Sequence, residues 1–351
     1  MLFLQVLLSS ISCLLIYKLG HELTGSGAVG CVAGILSATS FTSISLSVVI
    51  LSDCLFFFLF LLGNLLFLIG FKKERKSYFI WSGIIIGLSI LVRSIGQFWP
   101  AAMIVYIIAF TLQKRNTWRP QVRSHLQKKA VIAPLIAVCL VSIWVGRNYH
   151  HYHTPMLAFT SAGGPANVAA LALARIQGRD VAEIRLAWIN DYKLRTGKAD
   201  LDYIDQYRMY GAATKEVIIH HMREWVNSYL GLVWENVNSI NEIYRLQLPQ
   251  QSFYILDRMY WLLNHKLNFL NFWLSMVGFM FMLVRRRWRA FLFLGMLYLY
   301  FVLMVGFTQW QGSRLFFPAQ ISWSVAVAVS LVVAGHGGWQ FIGRLLRRRK
   351  G

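Results

Sequence analysis

The stretch Asp53-Cys54-Leu55-Phe56-Phe57-Phe58-Leu59-Phe60-Leu61-Leu62-Gly63-Asn64-Leu65-Leu66-Phe67-Leu68-Ile69-Gly70-Phe71 decides the fold class. Between an acid at its start and a single asparagine in its middle it offers nothing that water would solvate. A helix of roughly 20 such residues crosses the ~30 Å hydrocarbon layer of a bilayer. The apolar run actually begins at Ala28, and one helix from there to Phe71 would be about 65 Å long at ~1.5 Å per residue. The chain must therefore fold back, and Leu51-Ser52-Asp53 is the polar step where it can turn.

The rest of the chain repeats this pattern. Nine spans are expected, at about 2–19, 28–50, 53–71, 78–93, 97–112, 130–146, 265–284, 290–307 and 316–335. Of the 351 residues, 57% are hydrophobic and only 14% charged, against roughly 25% charged in soluble domains. A disordered chain and an ordinary soluble globule are both excluded. The fold class is all-α, a polytopic transmembrane helical bundle.

Charge gives the topology. The net charge of +21 would suggest nucleic acid in a soluble protein, but the basic residues sit in short clusters between apolar runs. Lys72, Lys73, Arg75 and Lys76 form the first cluster; Lys114, Arg115, Arg119, Arg123, Lys128 and Lys129 form the second. Arg285, Arg286, Arg287 and Arg289 form the third, and Arg344, Arg347, Arg348, Arg349 and Lys350 the last. Short basic loops beside membrane helices are retained in the cytoplasm. All four clusters share one side only if the run from Tyr78 to Leu112 is split near Ser94-Ile95-Gly96 into two helices. Nucleic acid is not an expected partner; membrane lipids are.

This gives three regions: an N-terminal bundle of six helices over 1–146, an external region over 147–264, and three helices with a basic cytoplasmic tail over 265–351. The segment Arg147–Asn264 holds twelve basic and eleven acidic residues, nearly neutral as a translocated segment can be. Its Thr160–Asn167 stretch is rich in turn formers, and amphipathic helices are expected over Val168–Asn190 and Asp205–Val237. Trp188, Trp225, Tyr229 and Trp234 suit the headgroup layer, where aromatic belts form. The same topology puts Met1 outside. No Lys or Arg precedes Leu2–Leu19, which points to an upstream helix and external loop absent from the sequence given. Cys13, Cys31, Cys54 and Cys139 lie in or beside apolar segments without CxxC spacing, so no disulfide framework is expected.

Several stretches resemble one family. Leu14–Gly20 followed by Gly30–Leu36 resembles an early helix pair of the dolichyl-phosphate-mannose–protein mannosyltransferase-like glycosyltransferases, of the GT-C fold, which include the aminoarabinose transferases of lipid A. Leu51-Ser52-Asp53-Cys54-Leu55-Phe56 is similar to the family's Ser-Asp or Thr-Asp step. Gly83-Ile84-Ile85-Ile86-Gly87-Leu88-Ser89-Ile90-Leu91-Val92-Arg93 resembles its "GLLLGLALLTR" helix, with Ser94 where proline usually follows. Trp144–Tyr149, the Gly163-Gly164-Pro165-Ala166-Asn167 loop and Arg314-Leu315-Phe316-Phe317-Pro318 resemble its later landmarks. The family's first helix and its acidic first external loop have no counterpart here.

The resemblance implies transfer of a sugar from a polyprenyl-phosphate donor to a lipid, glycan or protein acceptor, on the outer face of a bacterial inner membrane. Such a reaction needs cations to stabilise the departing phosphate and a carboxylate to take the acceptor proton. Asp53 is the candidate carboxylate, as a supporting group or metal ligand, with the main base expected upstream. Arg93, Arg314 and Arg147 are the candidates for donor phosphate; membrane snorkelling or helix capping would explain them equally. Metal dependence, on a divalent ion, stays open. His150, His151 and His153 have chelating spacing but no acidic or cysteine partner nearby in sequence. Two other readings stand beside a glycosyltransferase: a transporter or flippase of lipid-linked glycans, and a non-catalytic membrane assembly subunit. No internal repeat of the kind transporters commonly show is visible.

Overall fold

The computed structural model describes residues 2–48, 52–113, 120–238, 267–307, 314 and 317–348. Leu51 of the expected corner, Lys114, Arg115 and Arg119 of the second basic cluster, positions 239–264 of the external region, and Arg349 and Lys350 lie outside the described residues.

Among the described residues the secondary structure is helical, without strands. Six helices are long and apolar enough to cross a membrane: Leu2–Thr24, Asp53–Lys73, Ser94–Gln113, His125–Tyr152, Trp288–Phe307 and Phe317–Gly335. Three shorter apolar helices, Gly27–Ala38, Lys76–Val92 and Leu270–Val284, fall on the other expected spans. The chain is thus a polytopic helical bundle. It divides into two compact units, one of Met1–Val138, Leu248–Tyr300 and Phe317–Gly351, the other of Cys139–Gln247 and Phe301–Phe316.

In the first unit, α1 (Leu2–Thr24) turns through Gly25, at φ +71°, into α2 (Gly27–Ala38), which Ser26 caps by accepting from the Val29 amide. The helices touch backbone to backbone, so a side chain at Gly30 would come 2.6 Å from the Tyr17 carbonyl. Close approach through small residues is how helices associate where lipid is as apolar as the side chains. The expectation of one helix over 28–50 does not hold. The helix stops at Thr39, whose hydroxyl bonds back to the Ile35 carbonyl at 2.9 Å, and a separate short helix, α3 (Phe41–Ser47), follows. The Thr39, Ser45 and Ser47 hydroxyls each bond a backbone carbonyl three or four residues back, the local bonding that competes with a continuous helix.

Next come α4 (Asp53–Lys73), α5 (Lys76–Val92) and α6 (Trp99–Gln113). The expected split between α5 and α6 is present, and their contacts with α4 show the reversal. Along α5, Phe79 meets Phe71 and Ile90 reaches the level of Phe56; along α6, Trp99 meets Phe60 and Phe110 meets Phe71. The core between them is aromatic: Phe67, Phe71, Phe79 and Tyr106 pack at ring separations of 5.1–5.9 Å, mostly edge to face. Such pairs add about 0.5–1.5 kcal/mol beyond area burial. Asn64 is accommodated mid-membrane by two bonds, accepting from Trp99 Nε1 at 3.0 Å and donating to the Phe60 carbonyl at 2.8 Å. Helix α7 (Pro120–Ala130) leads into α8 (Ile132–Tyr152), and a side chain at Gly83 would lie 2.5 Å from the Ala133 carbonyl. The unit is completed by α13 (Leu267–Val284), α14 (Trp288–Met304) and α15 (Gln320–Arg348).

Two ends of this unit are distinct. At one, Lys72 pairs with Glu22 at 2.8 Å, Lys129 donates to the Glu74 carbonyl at 2.9 Å, and Arg286, Arg287 and Arg289 gather beside Glu22. Residues of the first three basic clusters thus meet at one end of the unit. Glu22, beyond the expected span of 2–19, is inside the last turns of α1, because the helix runs five residues past Leu19. At the opposite end lie the starts of α4, α6 and α15.

The second unit is built from the later part of α8, four further helices and the end of α14. The two expected amphipathic helices are four: α9 (Gly163–Gln177), α10 (Val181–Thr196), α11 (Tyr203–His220) and α12 (Met222–Asn238). Gly178 closes α9 in the left-handed region at φ +64°, and Asp180 opens α10 by accepting from the Ala182 amide. Gly197 and Asp202 repeat the arrangement before α11. A small core of Ala169, Ala172 and Val217 takes Trp188 and Trp225 against it. Those two rings are therefore packed inward rather than into a headgroup layer. Tyr229 donates to the Leu303 carbonyl and Asn236 to Val305 at 3.0 Å; of the four expected belt residues Trp234 is the exposed one.

Candidate functional site

Asp53 occupies the first turn of α4, where the Ser52 side chain makes no cap bond and the helix end carries partial positive charge. Its carboxylate is buried, at 2% exposure. The partner comes from a residue 40 positions on. Helix α5 ends at Val92, and Arg93 takes extended backbone at φ −146°, its amide donating to the Ser89 carbonyl at 3.0 Å. This is the conformation a following proline would impose, although Ser94 stands there. A 3-10 turn, Ser94–Gly96, then redirects the chain towards α6. The Tyr300 hydroxyl donates to the Ile95 carbonyl at 2.6 Å and pins that turn. So held, the Arg93 guanidinium forms an ion pair with Asp53, at 17% side-chain exposure against 2%.

The sequence-expected residues are only partly brought together. Asp53 and Arg93 make one pair in the first unit. Arg147 and Arg314 belong to the second unit. Arg147 lies within α8 rather than beyond its end; its guanidinium stacks over Trp144 at 5.0 Å and donates to Asn148 Oδ1 at 3.0 Å. Asn148 in turn donates to the Met156 carbonyl at 2.9 Å, folding the chain after α8 back on it. Arg314 is half-buried, and desolvation holds its pKa below the usual arginine value. Arginine stays protonated even so.

Sequence reasoning missed a polar network at the Asp53 end. Buried Gln320, first residue of α15, accepts from the Ser43 hydroxyl at 2.8 Å and donates to Ser37 Oγ at 3.1 Å. One amide therefore ties α2 and α3 to α15. The signal was a glutamine directly after Phe317-Pro318-Ala319, opening an apolar helix. Among the described residues no three His, Cys, Asp or Glu side chains converge as a metal cluster would. His150 and His151 pack ring to ring at 5.3 Å and His153 sits in left-handed backbone at φ +50°.

With this geometry in view, comparison with known families is informative. Residues 1–144 match the dolichyl-phosphate-mannose-protein mannosyltransferase family. The matched stretch contains Asp53, Arg93 and the helices that position them, whereas Arg147 and Arg314 lie beyond it. No curated protein and no solved structure matches the chain.

Proposed function

We propose that this chain carries out, or contributes the larger part of, sugar transfer from a polyprenyl-phosphate donor to a lipid, glycan or protein acceptor at the outer surface of a bacterial inner membrane. The observation that carries the reading is that the family match covers the same helices that build the Asp53–Arg93 pair. In this reading Arg93 meets the donor phosphate and Asp53 orients it, while Arg314 is a separate candidate for a phosphate contact. Arg147 is a weaker contributor, since Trp144 and Asn148 already hold it. An oriented guanidinium is pre-organised for a phosphate oxygen, so less freedom is lost when the donor binds. Arg147–Asn264 lies outside and the C-terminus inside.

Binding of a polyprenyl-phosphate analogue in nanodiscs tests the site. Arg314→Leu and the double variant Asp53→Leu/Arg93→Leu, which leaves no lone charge buried, should each bind about ten- to hundredfold more weakly. That range corresponds to about 1.5–3 kcal/mol for a lost charge-assisted bond. Arg→Lys at either position should recover only part, because a point charge lacks the fork. Unchanged affinity in both would remove the site as drawn. For topology, cysteines placed at Gly163 and Gly197 should label from outside, and those at Ser77 and Gln121 only after permeabilisation.

A further inference from the structure

At the basic end of the first unit, α1, α4 and α6 and the turn between α13 and α14 enclose a cleft of about 420 Å³. Phe71, Phe110 and Trp288 line it with apolar surface, and Arg286, Arg287 and Arg289 bring three positive charges. Among the described lining residues the acid is Glu22, which pairs with Lys72 at 2.8 Å and also feels Arg289, so one carboxylate faces three arginines and a lysine. Arg289 is fixed by donating to the Leu68 carbonyl, and its guanidinium also faces the buried Tyr106 hydroxyl. Arg286 stands in left-handed backbone at φ +55°, where glycine is the usual helix terminator, and this turn keeps a long cation there. Arg285 is differently engaged, stacked over Phe281 at 5.2 Å.

We propose that this cleft binds a phosphate-ester group, with Arg289 as the fixed contact and Arg286 and Arg287 closing over it from their exposed positions. Phosphate matches the arginine fork, and the aromatic lining suits an apolar body attached to it. Basic pockets between membrane helices take anionic lipid headgroups on the same grounds. The site is at the opposite end of the unit from Asp53 and does not depend on the sugar-transfer reading.

The test uses the purified full chain and does not measure transfer. Native mass spectrometry compares retention of phosphatidylglycerol with that of phosphatidylcholine, and thermal shifts are recorded with inorganic phosphate. The variants are Arg286→Gln/Arg287→Gln, the charge-keeping Arg286→Lys/Arg287→Lys, and Arg289→Gln. Selective retention of phosphatidylglycerol, falling roughly fivefold for each arginine removed and only partly restored by the Lys pair, establishes a lipid headgroup as the source. A phosphate-dependent shift lost in the Gln variants, without lipid selectivity, establishes free phosphate instead. Equal binding by the wild type and both Gln variants, with thermal midpoints in phosphatidylcholine unchanged, overturns the proposal. If the Gln pair unfolds, equal binding by wild type and Arg289→Gln decides against it in the same way.

Discussion

The two ends of the first unit are made by the same helices and treat charge in opposite ways. At the Asp53 end a buried acid pairs with a largely buried arginine, and Gln320 bonds Ser37 and Ser43. At the other end arginines outnumber acids, and the Lys72–Glu22 pair has its lysine half in solvent. Where water is excluded, charge must be matched locally or the bundle pays in stability; where water reaches, excess charge is tolerated and available to a ligand. The difference separates a site built on internal order from one built on unspent charge.

Breaking the buried pair tests this contrast most severely. Asp53→Leu leaves Arg93 without its counter-charge and should cost about 3–5 kcal/mol, whereas Asp53→Leu/Arg93→Leu should recover most of that. Unfolding of the purified protein in detergent measures both; a loss no larger than that of Lys72→Gln would erase the distinction between the ends. Gln320→Leu should come next, at about 1–3 kcal/mol, since it strips two buried hydroxyls of a partner. Lys72→Gln should cost only about 0.2–1 kcal/mol, and the loss should shrink as salt screens the pair.

A pair in the second unit sharpens the comparison through pH. Asp205 accepts from Lys198 at 2.6 and 2.8 Å, and those bonds hold its carboxyl below the ordinary aspartate range while raising the Lys198 pKa. A depressed carboxylate contributes stability above its unfolded pKa of ~3.9 and loses it as pH falls through the folded value. The raised lysine contributes below its unfolded value of ~10.4 and loses that as pH climbs past it. Hydrogen exchange in the α10–α11 connection should therefore be slowest near neutrality and rise, after correction for intrinsic rates, below about pH 4. In Asp205→Asn this extra acid sensitivity should vanish.

How much was legible in advance follows from what kind of interaction set each feature. The nine apolar runs and the reversal near Ser94 could be read because hydrophobic length and basic clustering are local quantities. The break at Thr39 was hidden by its surroundings: the same apolar run carries the hydroxyls that end the helix, and hydropathy averages over them. Gly178 with Asp180 and Gly197 with Asp202 were visible stop-and-start signals inside stretches that amphipathic patterning joined. Asp53 and Arg93 were each legible as costly charges in an apolar setting. That they pair was not, because it depends on how α4 meets the end of α5. Gln320 lacked any charge to draw attention, and its role exists only once α2, α3 and α15 are packed.

The shortness of α2 has a consequence for the membrane itself. Its 12 residues span only about 18 Å at ~1.5 Å per residue, well under the ~30 Å of an average hydrocarbon layer. Ile35 and Cys31 nevertheless face outward as lipid-compatible surface. Lipid beside this helix must thin or tilt to avoid stranding acyl chains against Thr39 and Ser40, a mismatch that costs fractions of a kcal/mol for each ångström. Bilayer thickness thus becomes a variable the protein feels beside this helix. Reconstitution across a series of acyl-chain lengths should place its greatest thermal resistance in the thinner bilayers.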